Sequence, residues 1–413
     1  MRNGETGDRL RVLVFEPFYG GHYLKFAGFL ARALTQVASQ VTLATSESAK
    51  GSETFEQHVM CMSEGVTVDA WIPKAGPGST LQSALGKLKW LRESITRAQA
   101  EHVYIPTADG LAQIMGLIAT VGGRVAQGNI QFEGLYMNGA VAHGGGVRSA
   151  ISYNLVKRAG WARLFHLDPF VPDWETMRGV PPSERIRVMP ELVEEPLRMC
   201  KTDARRRLSV PEEGRYLGLM GRLDRRKGAD LLIEAFTKAK LSCTDRLLLL
   251  GPLEDEIAGA LRNIPAHWLR NDRIVVRNAF VTDEELLTGI AAVDLVAAPY
   301  RATGSSSGII TRAVAAGRPI IGHHAGWMGK MLDLFSLGWG LEDLEVDTIA
   351  EALPNALDGA EAWTLSDAAK RLNRFNTEEN HAVHWCELLR DRCGKPAIKG
   401  KVTWDWVVGR EGQ

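Results

Sequence analysis

Four cations fall within six positions of one short stretch, Gly221-Arg222-Leu223-Asp224-Arg225-Arg226-Lys227-Gly228. The apolar run Tyr216-Leu217-Gly218-Leu219-Met220 leads into it, and the apolar-periodic Ala229-Asp230-Leu231-Leu232-Ile233-Glu234-Ala235-Phe236 follows. That order predicts a strand, a tight turn and the mouth of a helix. A diphosphate suits such a turn. Arginine forks onto two oxygens, lysine adds a compact charge, and glycines such as Gly221 let the backbone come close. The plainer reading is a solvated basic loop.

A second stretch of the same kind runs Ala298-Pro299-Tyr300-Arg301-Ala302-Thr303-Gly304-Ser305-Ser306-Ser307-Gly308-Ile309-Ile310-Thr311-Arg312-Ala313. It joins an apolar strand to a helix and centres on Ser305, Ser306 and Ser307 between Gly304 and Gly308. Free N–H groups at a helix start, with hydroxyls beside them, bind phosphate or sugar oxygens. Ordinary serine capping is the bland explanation. Two junctions of this type in one chain weaken it.

The elements that must position these stretches alternate along the whole chain. In the N-terminal half, strand-like runs fall at Leu10–Phe15, Val41–Thr45, Val66–Ile72, His102–Ile105, Gly134–Met137 and Ala162–Leu167. Helical spacing intervenes, as in Tyr23–Val37, Leu81–Ala98 and Val147–Lys157. A second series has strands at Tyr216–Met220, Arg246–Leu250, Arg273–Val276, Leu295–Ala298 and Pro319–Gly322. Such alternation predicts parallel sheets covered by helices on both faces. The expected fold is α/β, two doubly wound Rossmann-like domains facing across a cleft, with the turns after Phe15, Met220, Leu250 and Ala298 looking into it. The acidic, proline-flanked Pro190–Pro196 marks the junction. The division expected is 1–195, 196–375, and a terminal helix and tail over 376–413 that cross back to the first domain, with Trp404-Asp405-Trp406 packing there.

Composition narrows the class. The 413 residues carry 49 Lys plus Arg against 49 Asp plus Glu, so no excess charge favours nucleic acid. Five scattered cysteines, Cys61, Cys200, Cys243, Cys386 and Cys393, fit reduced thiols better than disulfides or zinc. The polar N-terminus has no signal-peptide core, and the longest apolar tract, Leu111 to Val121, is interrupted by Gln113, Gly116 and Thr120. A soluble cytoplasmic protein is expected. The mixed apolar and basic Leu85–Arg92 suits weak contact with a membrane surface, against the commoner reading of a solvated helix packing Leu88 and Leu91 inward.

From about Arg187 to Val383 the chain resembles the C-terminal half of the family-four glycosyltransferases, retaining enzymes of the GT-B fold. Arg187-Val188-Met189-Pro190 resembles their strand into the interdomain segment, and Gly221-Arg222-Leu223-x-x-x-Lys227-Gly228 their diphosphate motif. Leu247–Pro252, with Gly251, looks like the next strand and glycine turn. Arg273–Val276 followed by Phe280-Val281-Thr282-Asp283-Glu284-Glu285-Leu286 is similar to the stretch over the nucleotide base. Asp294–Pro299 and Ala315–Ile321 resemble the donor-site frame.

The resemblance implies transfer of a sugar from a nucleotide diphosphate to a hydroxyl acceptor (a glycan, a lipid or a small molecule), with retention and with no metal or other cofactor. Arg222 and Lys227 would neutralise the leaving diphosphate, Gly20 and Gly21 would let the first turn approach the donor, and Phe280 and Val281 would meet the base. Ser305, Ser306, Ser307 and Gly308 would serve the sugar. The chain departs from the pattern where the family carries two glutamates, since Gly304 and Arg312 stand there. Arginine accepts no hydrogen bond, so Arg312 implies a phosphate contact or an ion pair on the helix surface instead. That departure keeps two other readings open: a protein of this fold that binds glycan or nucleotide without catalysis, and a nucleotide-sugar epimerase. On the acceptor side the candidates are His22, Asp109, Asn138, His143 and His166, each with an ordinary capping or core role as its alternative. Gly144-Gly145-Gly146 reads as an acceptor loop or a helix entry.

Overall fold

Short, fully apolar runs become buried strands here, and the amphipathic stretches between them become crossover helices. The structure is a computed structural model that describes residues 10–20, 22–60, 65–74, 81–139, 147–177, 183–302 and 304–410. The chain divides into two compact units, Met1–Pro190 with Glu379–Lys401, and Glu191–Glu378 with Val402–Gln413.

The first unit holds seven strands: β1 (Arg11–Glu16), β2 (Gln40–Ser46), β3 (Val66–Ile72), β4 (His102–Ile105), β5 (Gln131–Tyr136), β6 (Arg163–His166) and β7 (Ile186–Val188). Their order is β3-β2-β1-β4-β5-β6-β7, and every pairing is parallel. The second unit holds β8 (Tyr216–Met220), β9 (Arg246–Leu250), β10 (Ile274–Arg277), β11 (Leu295–Ala298), β12 (Ile320–His323) and β13 (Gly338–Leu341), in the order β10-β9-β8-β11-β12-β13. These pairings are parallel as well. Both sheets are doubly wound. The strand order reverses between β1 and β4 in one unit and between β8 and β11 in the other, which opens a crevice beyond the strand ends.

β8 and β11 are buried along their whole length because helices cover both faces. One strand escapes the apolar-run criterion. β13, Gly-Trp-Gly-Leu, is an edge strand in which Gly338 has φ +143° and a Cβ would lie 2.1 Å from the Ile320 carbonyl oxygen. Only glycine fits that approach.

The chain's last segments separate. Residues 379–401 belong to the first unit, where His381 donates from Nδ1 to the Pro190 carbonyl at 2.7 Å and accepts Trp385 Nε1–H at 3.0 Å. Trp385 in turn packs on Phe165 and Tyr104, with ring centroids 4.8 and 5.6 Å away. The tail does not follow it, contrary to the expectation of packing on the first domain. Trp404 sits 5.8 Å from Phe335 and 5.7 Å from Phe375, and Arg371 donates to the Val407 carbonyl at 2.9 Å, all within the second unit. An aromatic pocket in reach captures the tail. In the helix Leu81–Ala98, Leu88 and Leu91 are buried while Leu85 is exposed, the pattern of a helix packed on its sheet. Among the described residues no helix is long and apolar enough to cross a membrane. Cys200, Cys243, Cys386 and Cys393 are free, and Cys61 lies outside the described residues.

Candidate functional site

The cationic turn begins where β8 ends. Gly221 takes φ +82° and donates its N–H to the Leu250 carbonyl at 2.9 Å. Asp224 then caps the 3-10 turn Arg225–Lys227, its Oδ1 accepting the Lys227 N–H at 2.9 Å. Gly228 follows at φ +69°, where a Cβ would fall 2.1 Å from the Pro299 carbonyl oxygen, and Gly251 at φ +137° leaves 2.0 Å to that of Gly221. Three loops, after β8, β9 and β11, are therefore pressed together by glycines. They meet at the reversal point of the second sheet.

Lys227 is folded into this knot. Its residue is only 8% exposed, Nζ donates to the Met220 carbonyl at 2.5 Å and lies 5.7 Å from the Tyr300 ring centre. Burial, and after it the charge of Arg226, pushes its pKa down to about 8. Its one hydrogen-bond partner is neutral and the pull of the Asp224 carboxylate does not offset burial, so an anion beside the ammonium is favoured. Arg222 has a different setting: its side chain is 69% exposed and Nε donates to Glu254 Oε1 at 2.8 Å. Arg225 stands 3.7 Å from Asp230 and Arg226 3.5 Å from Asp224.

The loop after β11 carries a residue that sequence reasoning passed over. Arg301 clamps Asp230 with two bonds of 2.7 and 2.8 Å and donates its backbone N–H to the Arg226 carbonyl at 2.9 Å, which ties this loop to the cationic turn. Its Arg-after-Tyr position beyond an apolar strand was the available signal. Tyr300 is buried, with its phenol pushed up to about 12 by burial. Ser307 stands at the N-cap of the helix Gly308–Ala315 without a side-chain capping bond. The capping explanation of the serines thus fails at the residue that had to carry it, and the helix start lacks a side-chain acceptor of its own. Ser305 is exposed, Ser306 and Gly304 half-buried.

Arg312 forms an ion pair, as one of its two expected roles had it, but not on the helix surface. Its Nε and one terminal nitrogen grip Glu194 at 2.7 and 3.0 Å, and the remaining bonds go to the Gly308 and Leu192 carbonyls at 2.9 and 3.2 Å. The pair is largely buried rather than on the helix surface, with side chains 11% and 17% exposed. Of the two expected roles it takes the ion pair, and it thereby pins the segment after β7 to the helix. Glu191, on the same segment, is buried; burial raises its carboxyl pKa, while Ser306 and Arg312 pull it down. Sequence reasoning missed both carboxylates because they are some 120 positions from the arginine, and no local pattern announces such a pair. Phe280, 43% exposed, and half-buried Val281 follow β10 just before the Thr282–Glu285 capping box of the helix Asp283–Ala292.

In the first unit, a cavity of about 860 Å³ opens beyond β1, β4 and β5, at that sheet's own reversal point. Gly20, Asp109 and Asn138 line it together with Lys87. Asp109 uses both oxygens on the end of β5, accepting Met137 N–H at 2.9 Å and Asn138 N–H at 3.0 Å. It positions the strand end. Gly20 has open space where a Cβ would stand, so its value is as wall rather than as a close approach. Lys87 lies with Nζ 4.7 Å from the Phe18 ring centre, its pKa lowered by burial against the pull of Glu16 and Asp109. Beneath them Glu16 is wholly buried, its carboxyl raised to about 8 chiefly by desolvation. His22 is exposed at a helix start with its ring 4.7 Å from that of Tyr23, and His166 is buried against Tyr136 and Tyr153. Gly21, His143 and Gly144–Gly146 lie outside the described residues.

Two doubly wound parallel α/β units are the arrangement of the GT-B fold, and solved structures share it. The sucrose-phosphate synthase of Thermosynechococcus elongatus is 16% identical, with 94% of this chain and 100% of that one covered and a TM-score of 0.70. HepE of Anabaena, solved in complex with UDP-glucose, is 13% identical over 92% of this chain and 99% of that one, at 0.66. A glycosyltransferase of Rickettsia africae is 13% identical over 93% and 98%, at 0.65. No curated protein matches the sequence. Residues 214–358 match the family model described as Glycosyl transferases group 1, so the second unit carries a group 1 glycosyltransferase domain.

Proposed function

We propose that this glycosyltransferase moves a sugar from a nucleotide-diphosphate donor to a hydroxyl acceptor, without a metal ion and with retention at the anomeric carbon. The acceptor hydroxyl oxygen bonds to the anomeric carbon on the same face from which the β-phosphate oxygen departs, which retains the configuration; the nucleoside diphosphate leaves and takes up the hydroxyl proton on that β-phosphate. Negative charge therefore grows on the β-phosphate in the transition state, and fixed cations there act on the barrier more than on the ground state.

The observation that carries this reading is the placement of Lys227: a buried ammonium at the reversal point of the second sheet, within the same knot of loops as a helix start that lacks a side-chain cap. Arg222 supplies the second charge by exchanging Glu254 for phosphate, which its exposure permits. Ser305, Ser306, Ser307 and the N–H groups of Gly308 onward serve the sugar and phosphate oxygens, and Phe280 and Val281 meet the base. That HepE, of the same fold, is solved with UDP and with UDP-glucose supports a nucleotide sugar as co-substrate. A cytoplasmic setting belongs to the same reading and accords with the free cysteines.

The test is turnover with a panel of nucleotide sugars in the presence of EDTA, following nucleotide release and the anomeric proton by NMR. Nucleotide release that EDTA leaves unchanged and a retained anomer support the proposal. Binding without turnover for every donor overturns catalysis, and an inverted anomer overturns retention.

A further inference from the structure

The cavity of the first unit has walls that restrict what it holds. Phe18, Tyr23, Ile114, Leu117, Tyr136 and Leu155 give it broad apolar surfaces. Four of its polar side chains, Gln113, Tyr136, Ser152 and Asp109, are engaged with one another or with backbone. Gln113 donates to the Tyr136 hydroxyl at 2.9 Å and to Ser152 Oγ at 3.4 Å, and Asp109 holds two backbone N–H groups. The charged end is small and local: a Cβ on Gly110 would lie 3.2 Å from Lys87 Nζ, which puts the ammonium against the Asp109–Gly110 turn. Among the described lining residues one cation, Lys87, faces one nearby carboxylate, Asp109, so these two offer a ligand's negative charge no net attraction. Leu117 in the cavity wall is 45% exposed, and Leu85 and Ile151, next in sequence to the lining residues Ala84 and Ser152, are 49% and 56% exposed.

We infer that this cavity takes the acceptor and that the acceptor is an uncharged molecule with an apolar, ring-sized body carrying its hydroxyl toward Lys87 and Asn138, not a sugar phosphate. The volume lies within the range of sites that enclose most of a small organic ligand, and such sites are mainly apolar with a few polar groups fixing orientation. A sugar phosphate would set many hydroxyls and a dianion against Phe18, Ile114 and Leu155, leaving polar groups without partners. The inference rests on the glycosyltransfer reading for the name acceptor, though the binding chemistry is independent of it.

The experiment is calorimetric titration of the full chain with 2-naphthol and, separately, with glucose 6-phosphate, and UDP is titrated into the same samples. The expected result is saturable 2-naphthol binding tighter than that of glucose 6-phosphate, weakened at least tenfold by Leu117→Asp and by Leu155→Asp, since covering a leucine side chain with the ligand contributes that much. Leu117 is half-exposed, so its variant folds, and unchanged UDP affinity in both variants reports that the rest of the protein is intact. Tighter binding of glucose 6-phosphate, no 2-naphthol binding, or 2-naphthol binding indifferent to both substitutions overturns the inference. Loss of UDP binding in the unmodified chain with 2-naphthol binding intact counts against the transferase reading alone.

Discussion

Lys227 and Glu16 are both ionisable groups held where burial disfavours their charge, and each makes pH a probe of its surroundings. Lys227 has a folded pKa of about 8 against an ordinary value of 10.5. Its charge is half lost at about pH 8 and falls away above it, so the free protein's diphosphate affinity declines as pH rises through 8 toward about 9.5. Titration calorimetry with UDP should show that decline in the natural chain and a weak, level affinity in Lys227→Met. Lys227→Ala should lower turnover about a hundredfold, as removal of one transition-state donor does; an unchanged rate removes Lys227 from the mechanism. Glu16 runs the other way. Its folded pKa of about 8 lies above the ordinary 4.5, so the folded state holds the proton longer. The stability this confers is full below pH 4.5 and lost as pH rises to 8. Urea unfolding should show Glu16→Gln gaining on the natural chain across that window, at most about 1.4 kcal/mol per pH unit, and levelling off above pH 8. A flat difference would show that Glu16 ionises freely.

At the scale of elements, the junctions rather than the strands carry the function. The strands were legible because Leu-rich and Val-rich runs of four to six residues have few alternatives inside an α/β pattern, and β8, β9 and β11 fall where their apolar runs put them. β13 was not, because Gly338 and Gly340 dilute its apolar signal and its fit depends on Ile320, far along the chain. The cationic turn was legible as chemistry, and its glycines now have a spatial reason. Gly228→Ala sets a methyl against the Pro299 carbonyl in a conformation alanine resists, and should cost about 1–3 kcal/mol and loosen UDP binding. Equilibrium unfolding with parallel UDP titration checks both effects. The Arg312–Glu194 pair is the element-scale feature the sequence could not declare. Arg312→Ala removes a two-bond partner from a largely buried carboxylate and should destabilise the second unit by about 3–5 kcal/mol. Loss below about 1 kcal/mol would mean that solvent reaches the pair freely.

At the scale of the molecule, two sheets of like topology were expected from the strand–helix rhythm, and the parallel pairings and both reversal points agree. The assignment of the last forty residues was less legible. Amphipathic spacing gives a terminal helix but not its partner, and the choice was made by specific fits: His381 and Trp385 in the first unit, Trp404 between Phe335 and Phe375 in the second. His381 also sets an acid limit. Its folded pKa, about 4, is held below the ordinary 6.5 by burial. The stability it contributes is present above pH 6.5 and lost as pH falls toward 4. Trp385 fluorescence should report that loss, and His381→Gln should blunt its pH dependence.

The central claim is that the turn after β8 holds the phosphates of a nucleoside diphosphate. Its most direct test is titration of the intact protein with UDP, GDP and ADP, repeated on Lys227→Ala. Saturable binding of at least one of them, weakened tenfold or more in the variant, is the predicted result. Absence of binding for all three, or equal affinity in the variant, would contradict it.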